Sequence, residues 1–293
     1  MKKIVIFGTG NAGRAIYRTF KDNKEYKIVA FIDNNNKDMV GKDYKGISIF
    51  SPNEYDKLEF DYIVYGGVWH KQMKTQLKNL GILDEKIKLI SEDELIYTSD
   101  EREKSVDNIV KKLDEYLQSK NIEYYLEGSS GLYLLRGKSL SYGSDVDIFV
   151  LKYDELLILA QELPKIFSDL NIEIVKFQKD DLVRKKNQID RICITDNSEE
   201  KVIIDIGMPD EYGEYLVTNY NNNKFFYIPK LVYEGGFIRM PYKNFYVSML
   251  AKYDDFFTIT YGKNYIEVPK SWSESDYGNL VSIDELKQMC KKK

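Results

Sequence analysis

The sequence predicts an α/β protein of two domains: a parallel sheet with flanking helices over residues 1–98, then an α+β domain over residues 106–293. Three observations predict it. Short β-branched runs near the N-terminus alternate with helical patterns and end in glycine turns, the order of a parallel sheet. A polar, charged stretch, "SEDELIYTSDEREKS", interrupts the hydrophobic pattern at residues 91–105, with a linker expected at 99–104. Beyond it, strands and helices mix without regular alternation, and two strands carry aspartates on one face.

In order, Lys3 to Phe7 reads as a strand ending in "GTGNAG" and Arg14 to Phe20 as a helix. Lys27 to Ile32 is a second strand and Asp61 to Tyr65 a third, which leads through "GGVWH" into a helix reaching Leu80; Ile87 to Ile90 is the last strand. The second domain opens with an amphipathic helix, Val106 to Lys120, whose apolar positions Val106, Ile109, Val110, Leu113 and Leu117 follow the 3.6 period. A strand at Tyr124 to Leu126 follows, then the turn Gly128-Ser129-Ser130 and a helix from about Gly131. Asp145 to Leu151 is a strand, Leu156 to Leu170 a helix and Ile172 to Phe177 a strand. Gln188 to Thr195 pairs antiparallel with Lys201 to Gly207 across "DNSE". Asn221 to Asn223 is a loop and the terminal "KKK" a solvated end.

Composition excludes several function classes. With 43 basic and 47 acidic residues the formal net charge is −4, so no nucleic acid is expected as an obligatory partner. Two cysteines, Cys193 and Cys290, make neither a disulfide framework nor a zinc site and point to a reducing, cytoplasmic compartment. No run approaches the ~18 apolar residues of a membrane span, which leaves peripheral membrane contact as the expected limit. His70 is the sole histidine, and it falls in the first domain without a named partner. Composition says nothing of the oligomeric state.

Gly8, Gly10 and Gly13 form G-x-G-x-x-G directly after a strand and before a helix, and Asp33 ends the next strand. Glycines in this context let backbone amides approach a diphosphate at a helix N-terminus, while the acid accepts from a ribose. The expectation is a nucleotide in the N-terminal domain, against the plainer reading that the glycines only shape the turn. "FGTGNAGRAI", "FIDNN", "DYIVYGG" and "LKNLGI" resemble the small Rossmann-like N-terminal domains of bacterial sugar-modifying enzymes. An NAD-dependent sugar oxidoreductase would in addition need a base near the glycine loop, and no histidine with a partner is expected there.

In "SDVDIFV", Asp145 and Asp147 share one face while Val146, Ile148 and Val150 face a core. In "KVIIDIGM", Asp205 points away from Val202, Ile204 and Ile206. If the two strands are neighbours, three carboxylates converge, and like charges that close require a cation. A hard divalent ion with oxygen ligands, Mg²⁺ or Mn²⁺, suits them. Gly128, Ser129 and Ser130 would then offer amides, hydroxyls and a helix start to the phosphates of a nucleotide, and Arg136 and Lys138 would add positive charge.

The order G-S, D-h-D-h, h-D-h resembles the polymerase-β-type nucleotidyltransferase superfamily. Within it, "EGSSGLYLLRGKSLSYGSDVDIFV", "VIIDIGMPD" and the stretch from "YEGGFIRMP" to "YGKNYIEVP" resemble the LicD family of phosphotransferases. The resemblance implies metal ligation by Asp145, Asp147 and Asp205, donor contacts by Ser129 and Arg136, and transfer of a phosphocholine or polyol phosphate. The donor would be CDP-linked and the acceptor a sugar hydroxyl of a surface glycan. "SLSYGS", where the family has an acidic run with a tryptophan, departs from it near Tyr142. The runner-up reading is nucleotidyl transfer from a nucleoside triphosphate. Of the 24 tyrosines, those from Tyr261 to Tyr265 are the expected site contacts, and Asp254 and Asp255 the candidate base.

Overall fold

The computed structural model describes the chain except residues 35–39, 68, 92–93, 197–201, 222, 270–272 and 292–293. The turn expected at Asn197 to Glu199, together with Lys201, Asn222 and the last two lysines, lies outside these residues. The chain divides into two compact units, one of residues 1–98 and 268–274, the other of residues 99–267 and 275–293.

The first unit holds a six-stranded sheet ordered β3-β4-β2-β1-β5-β6. Its strands are β1 (Lys2–Phe7), β2 (Tyr26–Ile32), β3 (Asp43–Tyr44), β4 (Ile47–Phe50), β5 (Tyr62–Tyr65) and β6 (Ile87–Leu89). β1 pairs parallel with both β2 and β5, and only the short β3–β4 ladder is antiparallel. That parallel order follows from the crossovers α1 (Asn11–Phe20) and α2 (His70–Asn79), each placed between parallel strands. Val5, Ala30, Ile32 and Ile63 are fully buried, as strands covered on both faces must be. The β3–β4 pair lacked a hydrophobic run long enough to register in the sequence.

Gly8 adopts φ +96°, and a Cβ on Gly13 would stand 1.9 Å from the Gly8 carbonyl oxygen. The first turn of α1 therefore packs directly on the backbone of the loop, and nothing but glycine fits at position 13. Gly13→Ala is expected to cost at least ~3 kcal/mol, since backbone rather than a flexible side chain must give way. Urea unfolding monitored by circular dichroism checks it, and a loss under 1 kcal/mol, roughly a methyl's ordinary cost, would refute it.

The second unit is built on a five-stranded mixed sheet ordered β7-β8-β11-β10-β9. These are β7 (Tyr124–Leu126), β8 (Val146–Val150), β9 (Asn171–Lys176), β10 (Ile189–Thr195) and β11 (Ile203–Gly207). α3 (Asp100–Ser119) and α5 (Tyr153–Ile166) contribute Val106, Val110, Leu113, Leu156, Leu159 and Leu163 to the core under Val146, Ile148, Ile204 and Ile206. The chain expected to be a linker, 99–104, is the start of α3: the Ser99 side chain accepts from the Arg102 amide and acidic residues fill the first turn. The charge that reads as a linker is the composition of a capped helix N-terminus. α4 (Gly128–Leu135) likewise begins three residues before the expected Gly131, with Glu127 at its N-cap position.

A four-stranded antiparallel sheet follows, ordered β12 (Asp210–Tyr212), β13 (Tyr215–Asn221), β14 (Lys224–Pro229) and β17 (Leu280–Ser282). Asn221 is thus the end of a strand rather than loop. The hairpin β15 (Phe237–Tyr242) and β16 (Phe245–Leu250), α6 (Tyr253–Tyr261) and α7 (Ile283–Lys291) complete the unit. The chain is accordingly mixed α/β, with one largely parallel sheet and additional antiparallel ones. Among the described residues, no helix is long and apolar enough to cross a membrane.

Candidate metal centre of the second unit

β8 and β11 are neighbours and parallel, in a register that sets Asp205 opposite Asp147 and Ile204 opposite Val146. Alternation buries Val146, Ile148, Ile204 and Ile206 and turns the aspartates to the other face. As a result Asp145, Asp147 and Asp205 each offer one oxygen, all within 4.8 Å of one another. Ser144 donates from Oγ to Asp145 Oδ1 at 2.7 Å, and the Asp147 amide donates to Ser130 Oγ at 2.8 Å.

The electrostatics are those of a cluster short of positive charge. Burial, then Asp145, Glu127 and Asp205, pushes the Asp147 carboxyl well above the usual carboxylate range, and Arg191 opposes that only in part. Burial likewise raises Asp205, against the hydrogen bond from Cys193 Sγ and the pull of Arg191, whose Nε is 3.7 Å away. The Cys193 thiol is pushed up to about 11 by burial and by that carboxylate. Three carboxylate oxygens this close fit a hard divalent cation.

Glu127 joins this group from the end of β7. Its amide donates to the Asp147 carbonyl at 2.9 Å, and burial with the Asp145 charge pushes its carboxyl up to about 7. A carboxyl raised in the folded state stabilises fully below its unfolded value of 4.5 and loses that contribution as pH rises through about 7. Metal-free protein should therefore lose stability between pH 5 and pH 8, by about 1–2 kcal/mol from this group once partial hydration is allowed for. Glu127→Gln should flatten the slope in urea titrations, and an unchanged slope would show that the group is hydrated.

Gly128 adopts φ +53°, a conformation that favours glycine, and brings the α4 start beneath Tyr261, whose hydroxyl would lie 3.7 Å from a Cβ there. A cleft of about 160 Å³ opens here, lined by Glu127, Gly128, Ser129 and Asp147 and by the rings of Phe226, Tyr261 and Tyr277. A second cleft of about 190 Å³ shares Asp147 but is lined by Asp205, Asp190, Arg191 and Phe149.

Several expected residues take other roles. Arg136 donates from Nε and Nη2 to the Tyr265 carbonyl at 2.9 and 2.6 Å and from Nη2 to Glu267 at 2.7 Å, so it ties down the segment after α6 and lines neither cleft. Ser130 is fully buried and holds the Asp147 amide, leaving Ser129 as the serine that faces the cleft. Lys138 is exposed, with its ammonium 5.2 Å from the Tyr142 ring centre. Asp254 accepts from the Tyr265 hydroxyl at 2.7 Å, and neither it nor Asp255 lines either cleft. Among tyrosines 261 to 265 it is Tyr261 that reaches the site.

Glu127, Arg191 and Cys193 were not anticipated. Arg191 and Cys193 alternate on β10, and Cys193 is the cross-strand partner of Asp205; the pattern "RIC" becomes a signal only once the register is known. In the first unit, Asp33 Oδ2 accepts from the Thr9 amide and hydroxyl at 2.6 and 2.7 Å, so one of its oxygens braces the glycine loop. His70 opens α2 with Nδ1 3.1 Å from the Gly67 carbonyl. Among the described residues, the position a Cβ would take on Gly10 meets no atom within 4 Å.

Residues 1–88 match the family model C2185-like, N-terminal. Comparison with curated proteins finds no match. Solved structures similar to the chain include a dehydrogenase (MviM) from Clostridium difficile, 12% identical over 99% of this chain and 98% of that one, TM-score 0.24. Another is an oxidoreductase from Agrobacterium radiobacter in complex with NAD⁺, L-tartaric acid and magnesium, 13% identical over 85% and 79%, TM-score 0.23. The lincosamide antibiotic adenylyltransferase LnuA, lincomycin-bound, is 14% identical over 58% of this chain and 94% of that one, TM-score 0.32. Alignments this loose transfer no activity. The LicD resemblance is corrected by the family model: the one that matches is C2185-like, N-terminal, and not LicD. The CDP-alcohol phosphotransferase reading, with its glycan acceptor, falls with it. It rested on the order G-S, D-h-D-h, h-D-h and on the stretch from "YEGGFIRMP" to "YGKNYIEVP".

Proposed function

We propose that the second unit, as a polymerase-β-type domain, catalyses metal-dependent nucleotidyl transfer from a nucleoside triphosphate to a hydroxyl. The observation that carries this is the same-register pairing of β8 and β11, which gathers Asp145, Asp147 and Asp205 beside the start of α4. A divalent cation held by those three carboxylates would neutralise charge on the transferring phosphate. The α4 N-terminus with Ser129 suits the triphosphate, and the rings of Phe226, Tyr261 and Tyr277 suit the nucleoside. In the reaction the acceptor oxygen bonds to the α-phosphorus and the bridging bond to the β-phosphate breaks, its electron pair leaving on pyrophosphate. The hydroxyl proton passes to a carboxylate of the cluster and on to water.

A second reading, an NAD-dependent oxidoreductase, draws on the glycine loop of the first unit, where Gly8 has φ +96° and Gly13 packs on the loop backbone. Its proton donor is harder to place: His70 faces a backbone carbonyl, and Tyr17, four residues before Lys21, packs edge-on against Tyr44 with ring centres 5.4 Å apart. Thermal-shift titration with ATP, CTP, GTP, UTP and NAD⁺, each with and without Mg²⁺, separates the two. Nucleotidyl transfer expects stabilisation by at least one triphosphate only with Mg²⁺, and pyrophosphate release on turnover. Indifference to all four triphosphates, with metal-independent NAD⁺ binding, would replace it with the second reading.

A further inference from the structure

The two clefts that meet at Asp147 are not equivalent. Displacement at phosphorus places the attacking and leaving oxygens roughly in line. If the triphosphate lies on the Gly128 and Ser129 side, pyrophosphate departs there and the acceptor hydroxyl must approach from the other. The adjoining cleft, which shares Asp147 but not Gly128 or Ser129 and is lined by Asp205, is the one left for it, and it continues outward: Phe177, Asp190, Arg191 and Asn219 line both it and a third, open cleft of about 1040 Å³.

The third cleft is unevenly charged once internal pairs are set aside. Two of its acids are paired, Asp180 with Lys185 at 3.4 Å and Asp190 with Arg191 at 3.2 Å, while Asp181 accepts from the neutral Asn219 amide at 2.9 Å and keeps its charge. Lys176, Lys179 and Lys287 also line it, and among the described residues none of their ammonium groups has a hydrogen-bond or ion-pair partner. Three unpaired ammonium groups against the one carboxylate of Asp181 leave the cleft positive and attract an anion, and the nearby rings of Phe177 and Tyr220 suit the face of a sugar.

We infer that the acceptor is an anionic sugar or polyol, bearing phosphate or carboxylate, which docks among Lys176, Lys179 and Lys287 and presents its hydroxyl through the Asp205 cleft to Asp147. This rests on the nucleotidyl-transfer reading for the side from which the nucleophile comes. The net charge of −4 disfavours a nucleic acid in the same place.

Lysine acylation by an amine-reactive acetate ester, read by mass spectrometry on the full chain, tests it. Glucose 6-phosphate and glucuronate are the phosphate and carboxylate probes, with glucose as the neutral control. At least one anionic probe should slow acylation of all three lysines about threefold or more, as expected when charge-assisted contacts occupy an ammonium; glucose should not. ATP with Mg²⁺ should leave them unprotected. The triple variant Lys176→Glu, Lys179→Glu, Lys287→Glu, changed only at exposed positions, should lose the protecting probe's saturation-transfer NMR signal. No protection by either anion, or equal protection by glucose, overturns the inference. So does protection by oligoadenylate alone, which would point to RNA. ATP binding with Mg²⁺, measured in the same samples, tells its failure from that of the reading beneath it: binding without lysine protection leaves nucleotidyl transfer standing.

Discussion

Asp147→Asn should cut metal-dependent turnover by roughly 10³-fold while making the metal-free protein more stable. The two effects have one cause. Asp147 sits where burial and the charges of Asp145, Glu127 and Asp205 all oppose its ionisation. Because its folded value is raised, the stability it contributes is present below the unfolded carboxylate range and lost as pH rises through the folded value; at neutral pH the wild type carries that penalty. Asparagine keeps the shape and removes the charge. With a metal bound, the same charge is what holds the ion, and removal of one ligand of three should cost roughly 10³-fold in rate. The wild-type melting temperature should rise with Mg²⁺ by mass action, whereas that of Asp147→Asn should start higher and respond weakly. A variant less stable than wild type without metal would mean that the cluster is not under electrostatic strain.

The second large effect is expected far from any substrate. Arg102, on the first turn of α3, is 2% exposed and donates to the carbonyls of Ser141 at 3.2 Å, Gly143 at 3.1 Å and Ser144 at 2.8 Å. These bonds hold the chain that delivers Asp145 to the cluster. Arg102→Met would leave buried carbonyls unpaired, at a cost of about 3 kcal/mol. It should also loosen Asp145, with turnover falling on the order of 10²-fold at temperatures where the variant stays folded, because displacements near 1 Å carry that penalty. Comparing Mg²⁺ affinity below the melting transition separates the roles. A purely structural arginine would change stability and leave affinity intact, and Arg102→Lys should restore part of both.

Much of this was legible in the residues themselves. Strand alternation in "SDVDIFV" and "VIIDIGM" determines that the three aspartates leave the core face, since the apolar residues between them have nowhere else to go. The glycine spacing of "GTGNAG" likewise determines a strand-to-helix turn, because position 13 has no room for a side chain. The sequence misled where charge stood in for structure: "SDERE", expected as linker, is the capped start of a helix, and Arg136 donates to the carbonyls of Tyr265 and Glu267, which no local pattern announces.

By itself, then, the sequence determined which face each carboxylate occupies, for that depends only on a period of two and on local burial. The tertiary structure alone decided that β11 lies beside β8, parallel and in the register that sets Asp205 opposite Asp147. Strand pairing is a long-range choice made by the whole core, and it also brought in Glu127, Arg191 and Cys193, whose partners lie on other strands. A carboxylate's direction is a local property; its company is not.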